Sequence, residues 1–133
     1  MTAKKEKLIQ IGKLASLLNI TTRTIRYYEE ISLLEPAKRL EGGIRVYSEE
    51  DIRNIKFVLK LKELGISLKE MLELSQIYKL HKSSKKVLPR LLEILDNHIS
   101  GIDDKINNIT SLRKDIIHYR QKIIELMNNP SII

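Results

Sequence analysis

The chain has no cysteine and no tryptophan, a single phenylalanine, three prolines and five glycines in 133 residues. The missing cysteine removes disulfides, thiolate metal sites, iron–sulfur clusters and cysteine nucleophiles together. No run approaches 18 consecutive apolar residues, so no membrane span is expected. Three lysines stand in the first seven residues, but the stretch after them is amphipathic and not a secretory apolar core, which reads as a cytoplasmic protein. Neither a phosphate-cradling glycine loop, a nucleophile elbow nor a demanding carboxylate pair is present, so no enzyme and no cofactor are expected.

Charge of one sign is in excess. Twenty-four Lys and Arg stand against 17 Asp and Glu, a formal net charge of +7, shared as +4 over residues 1–80 and +3 over 81–133. A basic balance fits nucleic acid only if the charges sit on a recognition element. With 42% hydrophobic residues the chain has material for a core, and its length suits one small domain with an appended element.

Punctuation divides the chain. Gly42-Gly43 signals a turn, and Gly65 follows an apolar-periodic run as a helix stop. Capping boxes at Ser48–Asp51 and Ser67–Glu70 open two helices. Ile52, Ile55, Leu59 and Leu64 carry the first at helical spacing, broadened by Phe57, Val58 and Leu61. Leu68, Met71, Leu72, Leu74 and Ile77 carry the second to about Leu80. Residues 81–86 are polar and basic and read as a linker.

From Val87 the pattern becomes that of a coiled coil. Leu88, Leu92, Leu95, Ile99, Ile102, Ile106 and Ile109 alternate in steps of four and three. Two successive steps of three, through Ile109 to Leu112, form a stammer, after which Ile116, Tyr119, Ile123 and Leu126 continue. Pro89 is tolerated if it falls in the first turn, and Gly101 lies off the seam. A helix over 87–127, about 60 Å long, is too long for the preceding domain to bury. It requires a partner, and a homodimer is expected, its interface formed by Leu92, Leu95, Ile99, Ile102, Ile106, Ile109 and Ile116. Residues 128–133 are a short tail.

The N-terminal third, within a first domain over 1–80, carries a helix-turn-helix. Ile11, Leu14, Ala15, Leu17 and Leu18 form the apolar face of a first helix. Small Ala15 admits a second helix at close range, Asn19 suits the left-handed turn position, Ile20 plugs the corner and Ile25 packs back. Thr21 caps the second helix, whose outer face presents Thr22, Arg23, Arg26 and Tyr27. Arginine reads guanine edges or pairs with phosphates, and hydroxyls reach phosphate oxygens. Lys38–Leu40 and Ile44–Tyr47 then flank Glu41-Gly42-Gly43 as a hairpin, a wing whose Arg39 and Arg45 would track the backbone.

These motifs stand together in order: Ile11-Gly12-Lys13-Leu14-Ala15, Thr24-Ile25-Arg26-Tyr27-Tyr28-Glu29, Leu33-Leu34-Glu35-Pro36, Arg45-Val46-Tyr47-Ser48 and Leu64-Gly65-Ile66-Ser67. In this the chain closely resembles the MerR family of bacterial transcription regulators over about residues 8–80. The resemblance implies a mainly α winged helix-turn-helix fold and a long C-terminal helix forming an antiparallel coiled coil across a dimer. It implies binding to a pseudo-palindromic promoter site in double-stranded DNA, distortion of an overlong spacer, and engagement of RNA polymerase. Arg26 and Tyr27 would be recognition contacts, Arg45 a wing contact, and Lys62 a phosphate contact. Tyr28 would pack inward with its hydroxyl towards the backbone.

The wing departs from the family in having Gly43-Ile44-Arg45, without the tyrosine common before the arginine. The effector is left open, because the cysteines of metal- and redox-sensing members are absent. His81, His98 and His118 are widely spaced and read as ordinary histidines. An organic ligand would have its place between the Leu68–Leu80 helix and the dimer helix, near Tyr78 and residues 81–86. An architectural or excisionase-like DNA protein is the alternative function, and a coiled-coil adaptor without DNA is a third.

Overall fold

The computed structural model describes residues 7–129. The order of elements is β1 (Ile9–Gln10), α1 (Ile11–Leu18), α2 (Thr22–Glu30), β2 (Lys38–Arg39), a 3-10 turn (Glu41–Gly43), β3 (Arg45–Tyr47), α3 (Glu49–Glu63), α4 (Leu68–His81) and α5 (Ser84–Asn128). The chain resolves into two compact units, up to Leu91 and from Leu92 onward.

In the first unit the α1–α2 turn follows from Asn19, which takes φ 54° and ψ 44°, while its amide and that of Ile20 return to Ser16 and Ala15 carbonyls. Asparagine tolerates this left-handed position better than most residues, so the reversal needs no glycine. Thr21 caps α2 by accepting from the Thr24 amide at 3.1 Å. Leu14, Ala15, Ile25 and Tyr28 are buried between the two helices and their surroundings. Leu17, expected on the apolar face, is instead 66% exposed. Two residues beyond Ala15, its Cβ has turned away from the side of α1 that faces α2.

The wing is a three-stranded sheet and not a simple hairpin. β3 is central, with β1 and β2 antiparallel on either side, in the register Ile9↔Tyr47 and Arg39↔Arg45. Two residues before α1 were too few for a sequence signal, yet they cover the second edge of β3. Gly42 and Gly43 both take positive φ, 82° and 80°, which explains the glycine pair at the tip.

Both capping boxes form: Ser48 and Asp51 exchange hydrogen bonds of 3.2 and 2.9 Å, and Ser67 and Glu70 of 3.1 and 3.0 Å. Gly65 has φ 84° and ends the helix before it. The buried stripe of α3 is Ile55, Val58 and Leu61, with Ile52 and Leu59 at its margins. Leu64, expected in that stripe, is the helix C-cap and is exposed. Met71 and Leu74 carry α4. Each such burial contributes about 1.5–3 kcal/mol relative to exposure.

The connection between α4 and α5 is only Lys82–Ser83, shorter than the expected linker over 81–86, and α5 begins at Ser84 instead of Val87. Lys82 takes a left-handed C-cap (φ 53°), and the Ser83 hydroxyl accepts from the Lys85 amide at 3.1 Å, which starts the next helix at once. Pro89 therefore stands in the second turn, not the first, leaving the Lys85 carbonyl without its helical donor. The first turns of α5 bear two apolar stripes. Val87, Leu91 and Ile94 are buried, while Leu88 and Leu92 of the expected seam are exposed and Leu95 is half-buried.

In the second unit α5 continues to Asn128, with Ile99, Ile102, Ile106, Ile109, Leu112, Ile116 and Tyr119 all exposed. Among the described residues no helix is long and apolar enough to cross a membrane. The expected tail over 128–133 lies mostly outside the described residues.

Candidate nucleic-acid interface

The recognition helix α2 is clamped from behind. Its Tyr28 carbonyl accepts from the Leu33 and Leu34 amides at 2.9 and 3.1 Å, turning the chain under the helix. The turn residue Ser32 adopts φ 63°, a position few side chains favour. Its carbonyl accepts from Lys79 Nζ at 2.6 Å and Ser75 Oγ at 3.3 Å, both from α4. The helix thus has a fixed end, and its outer face is set by Ile25 and Tyr28 pointing inward.

On that outer face Arg23, Arg26 and Tyr27 are exposed, whereas Thr22 is half-buried at the first turn. Arg39 is exposed on β2. Lys62, in the last turn of α3, is exposed as well. Arg23, Thr24, Tyr27, Tyr28 and Lys62 line one concavity of about 230 Å³. Two cations from different helices therefore flank a pair of tyrosines whose ring centroids are 6.1 Å apart.

One group in this concavity lacks a partner. Tyr28 is 4% exposed and its hydroxyl is buried with no hydrogen bond. A buried hydroxyl left unpaired costs about 1–3 kcal/mol. Arg26 does not line this concavity and belongs to the open helix face.

Arg45 is placed differently from the other arginines. Its Nε donates to Glu29 Oε2 at 3.3 Å, and the Tyr47 hydroxyl donates to Glu29 Oε1. Glu29 thus joins the recognition helix to the wing. Burial, and next the hydrogen bond to Glu29, push the Tyr47 phenol well above the ordinary tyrosine range, so it stays a donor. Tyr28 as an unpaired buried hydroxyl, Glu29 and Tyr47 were not legible as site residues. The one available signal was spacing: Glu29 lies four residues after Ile25, a charge on the buried stripe.

A second concavity of about 320 Å³ is mainly apolar. Leu33 and Leu34, Phe57 and Leu61 of α3, Tyr78 and Lys79 of α4, and Ser84 and Leu88 of α5 contribute to it. It lies where an organic ligand was expected, with Tyr78 on its wall. Among the described residues no group of three or more His, Asp or Glu is arranged to hold a metal.

Fold and site together define a winged helix-turn-helix regulator. Profiles described as "MerR HTH family regulatory protein" and "MerR, DNA binding" match residues 9–76 and 52–119. The chain is 34% identical to the HTH-type transcriptional regulator ZntR homolog of Haemophilus influenzae over 122 residues, covering 92% of this chain and 88% of that one. It is 35% identical to the HTH-type transcriptional regulator YfmP of Bacillus subtilis over 120 residues, covering 80% and 86%. In fold it is similar to HiNmlR, described as a MerR family regulator lacking the sensor domain, bound to promoter DNA. That likeness has a TM-score of 0.61 at 21% identity, over 77% of this chain and 79% of that one. The chain belongs to the MerR family of transcriptional regulators.

Proposed function

We propose that the chain acts as a homodimer that binds a pseudo-palindromic promoter site and distorts an overlong spacer so that RNA polymerase can engage both promoter elements. Arg26 and Tyr27 enter the major groove, with Thr22 beside them. Arg23 and Lys62 take a backbone phosphate between them, and Arg39 and Arg45 follow the backbone at the wing. The stripe of α5 from exposed Leu92 and half-buried Leu95 through Ile99, Ile102, Ile106 and Ile109 to Ile116 joins the two copies in an antiparallel coiled coil. No catalysis is assigned to the chain, and its place is the cytoplasm with its DNA. The effector is not a metal held by thiolates, since the chain has no cysteine.

The observation that carries this reading is the concavity beside α2. Arg23 and Lys62, brought together from two helices, supply charge for a phosphate, with the exposed Tyr27 beside them. That a relative of similar fold was solved bound to promoter DNA supports the DNA-binding reading.

The test begins with duplexes selected by the purified protein from a random-sequence pool. Affinity for them should fall steeply with salt. Arg26→Ala should weaken binding by about 1–3 kcal/mol on selected duplexes and far less on random ones. Equal loss on both would make Arg26 a phosphate contact. In transcription from a promoter carrying the selected site, a dimer that binds but never alters open-complex formation would be architectural, and the regulator reading would fail.

A further inference from the structure

We propose that Glu29 is a positioning residue that aims the wing arginine, Arg45, at the DNA backbone; this rests on the DNA-binding reading above. Glu29 is on the inner side of α2, four residues after Ile25, and its side chain is only 9% exposed. One carboxylate oxygen accepts from Arg45 Nε and the other from the Tyr47 hydroxyl. Among the described residues the Arg45 guanidinium has no other partner, so its two terminal nitrogens remain uncommitted, and the side chain is 27% exposed.

Three physical points lead from this geometry to positioning. A carboxylate nearly out of water is seldom kept for stability, because well-packed apolar replacements of such pairs are often neutral or better. A free arginine loses much rotamer freedom when it binds a phosphate. An arginine already held at Nε has lost it in advance, with its terminal nitrogens left to make the bidentate contact that suits a phosphate. Finally, Arg39 stands directly opposite Arg45 in the β2–β3 ladder. Like charges facing across strands repel, so a wing carrying both needs a counter-charge on one of them. Glu29 supplies it to Arg45 and leaves Arg39 open. The anchor comes from the recognition helix itself, so the wing arginine and the groove-reading side chains keep one fixed offset.

The experiment measures binding of the full chain to a selected duplex as a function of salt, alongside thermal melting. Arg45→Ala should weaken binding about tenfold and reduce the slope of log affinity against log salt by about one per protomer. Glu29→Ala should reproduce both effects although it removes a negative charge near DNA, a change that would otherwise strengthen binding. The double variant should bind within about twofold of Arg45→Ala alone, since both act through one contact. Glu29→Gln, which still offers one oxygen to Arg45 Nε but no counter-charge, should lose less of the slope than Glu29→Ala.

Binding by Glu29→Ala that equals or exceeds wild type overturns the proposal, as does a loss with unchanged slope that simply follows melting. Arg45→Lys guards against an unfolded Glu29→Ala, because it leaves Glu29 and Tyr47 in place. A lysine has no separate Nε to hold Glu29 while a two-nitrogen fork takes a phosphate, so it should lose most of what alanine loses, and full retention overturns the proposal. A wild-type protein with no salt-dependent DNA binding rejects the regulator reading itself. Wild-type binding with indifferent Glu29 variants rejects the positioning role alone.

Discussion

The two units of the molecule use the same kind of residue to opposite ends. Up to Leu91, isoleucines such as Ile25 and Ile55 are at most 1% exposed, enclosed by helices that approach from several directions. From Leu92 onward, Ile102 and Ile106 repeat with equal regularity and are 54% and 55% exposed. A hydrophobic stripe is a demand for a second surface and not a core in itself. In the first unit short helices and tight turns let the chain provide that surface. In the second, from Ile99 to Tyr119, a single helix carries its stripe exposed, and on the function proposed above a second copy covers it.

The largest effect should come from breaking the second unit. Replacing Ile102 and Ile106 together with glutamate should dissolve the dimer, seen as a halved mass in sedimentation. Affinity for a selected duplex should fall by about two orders of magnitude or more, because one half-site no longer delivers the other. The first unit should keep its near-native melting, and an intact dimer would refute the seam. The converse change, Ile25→Ala, should cost about 2–5 kcal/mol in chemical denaturation by opening a cavity beneath the recognition helix. That loss should register in the first unit, and α5 helicity should outlast it in the dimer.

The smallest effect sharpens the contrast. Gly101 lies inside α5 with no positive φ and open space where a methyl group would project. Gly101→Ala should therefore stabilise the second unit by about 1 kcal/mol, raising its melting temperature without touching the first. A destabilisation would show that the partner helix passes close to this glycine.

Much of the fold was legible because it depends on local chemistry. Asn19 in the left-handed turn, Thr21 as cap, the Ser48 and Ser67 capping boxes and the Gly42-Gly43 tip each arise from a few adjacent residues, and the structure has all of them. Boundaries were less legible. Ser83 starts α5 three residues earlier than the periodicity suggested, and this places Pro89 in the second turn. β1 was invisible, since two residues hold no period, and it exists only because β3 has an unpaired edge to offer.

The site divides in the same way. Exposed Arg23, Arg26, Tyr27 and Lys62 could be nominated from helix position and family motif. The grouping of Arg23, Tyr27 and Lys62 with Tyr28 in one concavity could not, because α2 and α3 meet only in three dimensions. Leu17 and Leu64 show the same limit from the other side, since spacing put both on apolar faces and neighbouring elements left them in solvent.

By itself the sequence determined the family, the order of the helices and of the wing hairpin, the caps and turns, and the need of α5 for a partner, because each rests on short-range geometry or on a repeat. Tertiary structure alone decided which of two apolar stripes at the start of α5 is buried and which phenol lacks a partner. It also decided that Glu29 ties the recognition helix to the wing. Those outcomes depend on groups far apart in the chain competing for the same space and the same hydrogen bonds, and no local pattern records who wins.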